Sequence, residues 1–392
     1  MAAYIENLQH AMPKPTAAPG GDPNAVRLAG HRPGCRSQSC AHTVRGPKHV
    51  VKNGKTTVLT AEQACALAAH TPAKQKVILQ EVPLAVASDW DTFAQACNVT
   101  FMCSHANVSA ERLRSHVRFF AAYLEGAKVA QCAVAFRRFG KTRKIGRFVD
   151  GMQLLPEYAA LWGQIMQGML RILGPGRYYY GTEWSIEEDR TNDLTALHGI
   201  TIQTVFPYVI HGVDFSRWPS WEAYRQAISN NARRNTAKAL KIDPKAEIRI
   251  NYGIRTILDT IPFMRMRSRM RHRKGLDFNV LEQAMRYVTR MLLMRKHGYT
   301  ARVVHLGKVV SYFCGIDFGR HTFYTYGASA PEKNGASWLL ILDMLQRSWK
   351  PDGKFLMGQA ETGAGRDNLF LFRQHCRVSD FPGAILRFTY EP

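Results

Sequence analysis

The sequence predicts an α/β protein, more narrowly α+β: two tandem units, each a mixed, mostly antiparallel sheet flanked by helices, behind a flexible N-terminal arm. Three observations carry this. The order hairpin, further strand, helix, strand runs from Phe119 to Trp184 and again from Tyr299 to Glu361; the copies are divergent, so order rather than identity marks the repeat. The 392 residues can bury a large core and suit two or three domains. Residues 1–60 hold six Pro and six Gly without helical or strand periodicity. The expected boundaries are a poorly ordered basic arm over 1–85, a first unit over 86–216, and a second over 217–392 that opens with a linking helix.

In the first unit, "FFAAYLEGAKVAQCAVAFRRFG" (119–140) reads as a hairpin, because aromatic, β-branched and small apolar residues flank Gly126 and Lys128. "KIGRFVDGMQLL" is a third extended piece. "PEYAALWGQIMQGMLRIL" has apolar residues at helical spacing, with Pro156 at its start and Gly174 at its end. "RYYYGTEW" returns as a strand. Between the units, "WPSWEAYRQAISNNARRNTAKALKI" predicts one helix started by Pro219, with Trp221, Tyr224 and Ile228 on its apolar side and Arg233, Arg234, Lys238 and Lys241 crowding its end. Two more helices, "ILDTIPFMRMRSRMRHRKG" and "NVLEQAMRYVTRMLLMRKHG", keep apolar residues three and four apart and end at Gly. The second unit then has three strands with turns at Gly307-Lys308 and Gly319-Arg320, the helix "GASWLLILDMLQRSW", and the strand "KFLMGQAE".

Charge narrows the partners. With 53 Lys and Arg against 30 Asp and Glu the chain carries +23, which favours nucleic acid, phosphorylated cofactors or an acidic membrane surface. Arg225 to Lys296 holds 18 of the basic residues and only 5 acidic ones. Arg at 265, 267, 269, 271 and 273 must go all round a helix, so some face a groove or a partner, with phosphate the obvious one. The eight Cys include no CxxC pair, which suits reduced thiols and a cytoplasmic protein. Cys35, Cys40 and His42 lack a fourth ligand, so no metal is expected. No segment reaches the roughly 18 apolar residues of a membrane span, and the first residues do not read as a secretory signal.

From Trp90 to Tyr390 the order of these elements resembles the GNAT superfamily, specifically its double-domain members, the Fem-type aminoacyltransferases and related bacterial tandem acetyltransferase-like proteins. Four segments carry it: the Trp/Tyr helix running into "NNARRNTAKALK", the "FMRMRSRMRHRKG" helix, the "LGKVVSYFCGIDFG" hairpin and the terminal "DNLFLFRQHCRV". The resemblance implies a splayed strand pair and a helix N-terminus that holds a donor pyrophosphate on unpaired N–H groups. Read so, Asn334, Gly335, Ala336 and Ser337 form the cradle, with Arg366 a second phosphate contact. The family's loop reads Gln or Arg, two residues, Gly, one residue, then Gly or Ala; this chain has Glu332, Gly335 and Ser337. A plain helix start capped by Asn or Ser is the other reading. The first unit has "LLPEYAAL" at that place, without Gly, which marks it as structural or acceptor-binding.

Acyl transfer to an amine needs the amine deprotonated, the oxyanion held and the leaving group protonated. No GxSxG elbow is present, so direct attack is expected. A backbone N–H on the strand ending at Tyr326 to Ser329 is the oxyanion candidate, and Tyr324 or Tyr326 faces the cleft. Glu361 in "GQAETGAG" is either the base or a Glu in a Gly-rich turn; His375 reads as a helix-face residue. The Fem-type closing motif carries a basic residue after an aromatic, here Phe372-Arg373, where Arg can only stabilise charge. The expected function is an N-acyltransferase that moves an acyl group from acyl-CoA to a primary amine of a small molecule or peptide; an aminoacyl-tRNA-dependent transferase of the Fem type is the alternative, which makes tRNA a candidate partner. A non-catalytic nucleic-acid or envelope-assembly binding module is the alternative from another class.

Overall fold

The computed structural model describes residues 49–52, 55–58, 77–139, 143–182, 184–186, 190–331, 334–359 and 368–392. The chain divides into residues 1–73 and 74–392. In the first, β1 (His49–Lys52) and β2 (Lys55–Val58) form an antiparallel ladder. The rest of the expected arm up to residue 76, including Cys35, Cys40 and His42, lies outside the described residues.

The second unit begins with β3 (Ile78–Val82), α1 (Ala87–Ala96), α2 (His105–Arg112), β4 (His116–Leu124), β5 (Ala127–Phe139), β6 (Arg143–Phe148), β7 (Gln153–Leu154), α3 (Trp162–Leu173), β8 (Gly176–Tyr180), α4 (Thr191–Thr195) and β9 (Ile200–Asp214). It continues with α5 (Trp221–Ala227), α6 (Asn230–Ile242), β10 (Glu247–Tyr252), α7 (Thr260–Arg273), α8 (Val280–Leu293), β11 (Gly298–His305), β12 (Lys308–Phe318), β13 (His321–Ser329), α9 (Ala336–Arg347), β14 (Lys354–Gln359), α10 (Asn368–His375) and β15 (Ser379–Tyr390). The repeat is visible in the pairing. β4, β5 and β6 are antiparallel and β6 then lies parallel to β8; β11, β12 and β13 are antiparallel and β13 lies parallel to β14.

One sheet runs through both copies in the order β10-β11-β12-β13-β14-β9-β15-β8-β6-β5-β4-β3, with β7 on β5. The join is made by β15, which pairs with β9 from Ser379 to Tyr390 and with β8 on its other edge. The last strand of the chain thus completes the sheet of the first copy. One core lies around α3 and the β4 to β8 sheet, with Trp162, Met166, Tyr178 and Phe388. Another lies under α9 with Phe313, Leu340 and Phe355, and a third, holding Phe263, Tyr287 and Cys314, packs α7 and α8 on the opposite face of β12. A fourth, with Phe101, Trp184, Ile210 and Phe323, draws on both copies.

Two expectations change. Ile78–Val82 falls within the expected arm yet pairs with β4 as the edge strand, since its backbone groups gain a ladder there. The single linking helix is two: Ile228 turns extended at ψ 145°, and Ser220 and Ser229 each accept from the N–H three residues on, Ala223 and Ala232.

Candidate active site

The parallel pair β13 and β14 meets only at Thr322 with Phe355 and Phe323 with Leu356. Beyond these, β13 runs on to Ser329 along β12 alone, so the edge from Tyr324 to Ser329 has no strand partner on the β14 side. That edge leaves backbone N–H groups without a ladder partner on the β14 side, the requirement for an oxyanion site. A β-bulge between Cys314 and Gly315 places Tyr324 opposite Gly315 and Tyr326 opposite Cys314. The extra residue breaks the alternation of faces. Tyr324 therefore stacks on Phe313 at 4.5 Å in the α9-side core, where burial pushes its hydroxyl up to about 12. Tyr326 goes to the other face, half-buried against α7 and α8.

The parted segment of β14 is held by Arg373. This buried guanidinium on α10 donates from Nη2 to the Met357 carbonyl at 2.7 Å and from Nη1 to the Gln359 carbonyl at 2.8 Å. Its Nη1 also lies 3.2 Å from His211 Nδ1, and His211 Nε2 is 3.3 Å from the Asp380 carboxylate. Burial, then the charge of Arg373, lowers the His211 pKa, so its neutral imidazole accepts from Arg373 through Nδ1. Gly358 stands between, at φ +88°; a Cβ there would meet Trp184 at 3.6 Å and Arg373 Nη2 at 3.8 Å. Sequence reasoning gave Arg373 the stabilising of charge on the substrate; in the structure its Nη1 and Nη2 hold the strand.

The start of α9 also differs from the expected cradle. Asn334 Oδ1 accepts from the Ala336 N–H at 3.0 Å, and Asn334 Nδ2 lies 3.2 Å from His305 Nδ1. Gly335, at φ +83°, faces the backbone of Asn235 on α6, whose carbonyl oxygen would be 2.0 Å from an added Cβ. Its small size is used by helix–helix approach, a use the sequence reading of Gly335 as part of a cradle did not include. Ala336 is fully buried and Ser337 half-buried. An open depression on the surface of α6, lined by the exposed Asn230, Arg233, Arg234 and Ala237, offers two guanidinium groups to an anion. Glu332, Glu361 and Arg366 lie outside the described residues.

The corresponding place in the first copy is closed. Asp150, two residues past β6, accepts from Thr182 Oγ1, two residues past β8, and from Thr100 Oγ1, with Cys103 Sγ at 3.4 Å. Burial raises the Asp150 pKa to about 6 despite these donors. Tyr180 fills the space behind, its hydroxyl accepting from the Met152 N–H and Trp162 Nε1 at 3.2 Å each. Sequence reasoning missed Asp150 and His211. "VDG" between a strand and an apolar piece was the available signal for the first, whereas nothing local marks the second. Among the described residues no cluster of three or more His, Cys, Asp or Glu is placed to hold a metal ion, and no helix is long and apolar enough to cross a membrane.

No family model and no curated protein matches the chain in sequence. Solved structures match in fold. The crystal structure of FemX aligns with a TM-score of 0.61 at 9% identity, covering 78% of this chain and 96% of that one. L-PGS from Bacillus licheniformis aligns at a TM-score of 0.45 and 11% identity, covering 78% and 91%. A tandem GNAT protein from the clavulanic acid biosynthesis pathway aligns at 0.40 and 14%, covering 80% and 98%.

Proposed function

On a chain with this double-domain, GNAT-like fold, we propose an N-acyltransferase that moves an acyl group from acyl-CoA to a primary amine at the parting of β13 and β14. The observation that carries it is the asymmetry of the copies: Asp150 and Tyr180 tie and fill the first parting, while Tyr324 to Ser329 keep an open edge in the second. The amine nitrogen attacks the acyl carbon directly, a C–N bond forms, and the C–S bond breaks after the tetrahedral oxyanion has been held by N–H groups of that edge. Glu361 takes the proton that the amine loses, and the Tyr326 hydroxyl is the candidate donor to the departing thiolate. Arg233 and Arg234, together with Asn334, Ser337 and Arg366 of the cradle that the resemblance implies, supply contacts to the carrier's phosphates. Arg373 and His211 act by positioning β14.

A second reading, an aminoacyl-tRNA donor of the Fem type, is favoured by one observation. The Asn235 backbone occupies the approach to Gly335, leaving the phosphates of any carrier to the side chains of α6 within a strongly basic stretch. A native mass spectrum of the freshly purified protein, followed by transfer assays with acetyl-CoA and with charged tRNA on a panel of amines, tests both. Bound CoA with transfer from acetyl-CoA supports the first reading. Bound RNA with transfer only from charged tRNA supports the second, and no transfer from either carrier overturns both.

A further inference from the structure

Two arginines stand over Tyr326 and a third adjoins one of them, without an acid among them. Arg267 and Arg271 are one turn apart on α7, and Arg290 comes from α8. The Arg267 guanidinium lies 4.9 Å from the Tyr326 ring centre and 5.8 Å from that of Phe278; Arg290 lies 5.3 Å from Tyr326 and 5.9 Å from Phe101. The Nε atoms of Arg267 and Arg271 are both shielded from water and have no hydrogen-bond partner among the described residues. No carboxylate among those residues comes within ion-pair distance of any of the three. Nearby cations differ in this respect: Arg302 pairs with Asp259, and Arg286 with Glu282 at 2.5 Å.

Stacking on aromatic rings recovers part of the cost of removing a guanidinium from water, but not the like-charge repulsion of neighbours. Burial, with Arg271 adding to it, presses the Arg267 pKa down. A group of cations in this condition is completed by an anion. It is also placed for chemistry, since Tyr326 belongs to the open edge of β13. The carrier reading puts phosphates on the α9 and α6 side of the sheet, whereas α7 and α8 pack the opposite face. An anion here therefore belongs to the other substrate.

We propose that Arg267, Arg271 and Arg290 bind an anionic group, a carboxylate or a phosphate, of the acceptor, and so select amines that carry such a group. This rests on acyl transfer taking place at the parting of β13 and β14. The test needs no donor: the full chain is titrated calorimetrically with inorganic pyrophosphate and with succinate. Both it and the double variant Arg267→Met/Arg290→Met are titrated with Arg233→Met/Arg234→Met in place, which removes the carrier contacts proposed on α6. Met keeps the apolar stems packed, and thermal unfolding without anion checks folding.

We expect the protein with α6 so altered to bind one of the two anions, and the added α7/α8 substitutions to cost at least tenfold in affinity with the unfolding temperature held or raised. Preference for pyrophosphate assigns a phosphate, and preference for succinate a carboxylate. Binding of neither anion, or binding that the α7/α8 variant leaves intact, overturns the proposal, as does a variant with lowered stability and unchanged affinity, in which the arginines only stack. Failure of acyl transfer alone would leave these titrations untouched.

Discussion

Replacing Gly335 by Ala distinguishes a packing role from a ligand role. The residue has φ +83°, where an L side chain costs about 1–2 kcal/mol. The added Cβ would stand 2.0 Å from the Asn235 carbonyl oxygen and 2.8 Å from its carbon, distances that no rotamer relieves because both atoms are backbone. α9 must move off α6, and such overpacking costs about 1–3 kcal/mol. Together the loss is on the order of 3 kcal/mol, or about 5 °C in Tm for a unit of this size. Gly163 in α3 is the control. A Cβ there meets Leu197 at 3.6 Å, an ordinary contact, and helix propensity favours Ala by about 0.5–1 kcal/mol. Urea unfolding followed by fluorescence reads the midpoint, with an unchanged slope showing that native-state stability moved. A Gly335→Ala protein that keeps parental stability but loses donor binding would refute the packing argument and restore the phosphate cradle.

Other outcomes follow from the same geometry. Arg373→Met should cost about 3 kcal/mol, because two carbonyls lose charged donors; turnover that falls with stability unchanged would return Arg373 to a role on the substrate. Asp150 has its folded pKa raised from 3.8 to about 6, so it holds a proton that the unfolded chain releases. Its contribution is full below about pH 4 and fades as pH rises to about 6, a change on the order of 3 kcal/mol. Asp150→Asn should remove that part of the pH dependence, and identical stability–pH curves for variant and parent would contradict the assignment. Glu361→Gln should lower turnover about 10² to 10⁴-fold with donor affinity retained, and less than tenfold would make Glu361 a turn residue. A tRNA bound along α6 and α7 should lose affinity log-linearly with salt, at about 0.7 to 0.9 per phosphate neutralised, whereas CoA should weaken only gently. An RNA slope as shallow as that for CoA would rule out the aminoacyl-tRNA reading.

Local pattern was enough for the hairpins at Gly126 and Gly307, the amphipathic helices and the repeated strand–helix–strand order, because their backbone partners lie within a few residues and their apolar faces repeat at fixed periods. The charge of the stretch from Arg225 to Lys296 was equally plain. Partners distant in sequence were not. β15 joins β9 across more than 160 residues, a pairing that no local spacing encodes, and it turns two expected sheets into one. A single bulge sends Tyr324 and Tyr326 to opposite faces, against the period-two rule that places residues i and i+2 together. Gly335 read as a loop glycine beside a ligand; its packing against the Asn235 backbone, 100 residues earlier, was not legible. The roles of Arg373, Asp150 and the arginines over Tyr326 are likewise set by what burial brings to each charge, which depends on how the helices and strands pack and not on the residues that flank them.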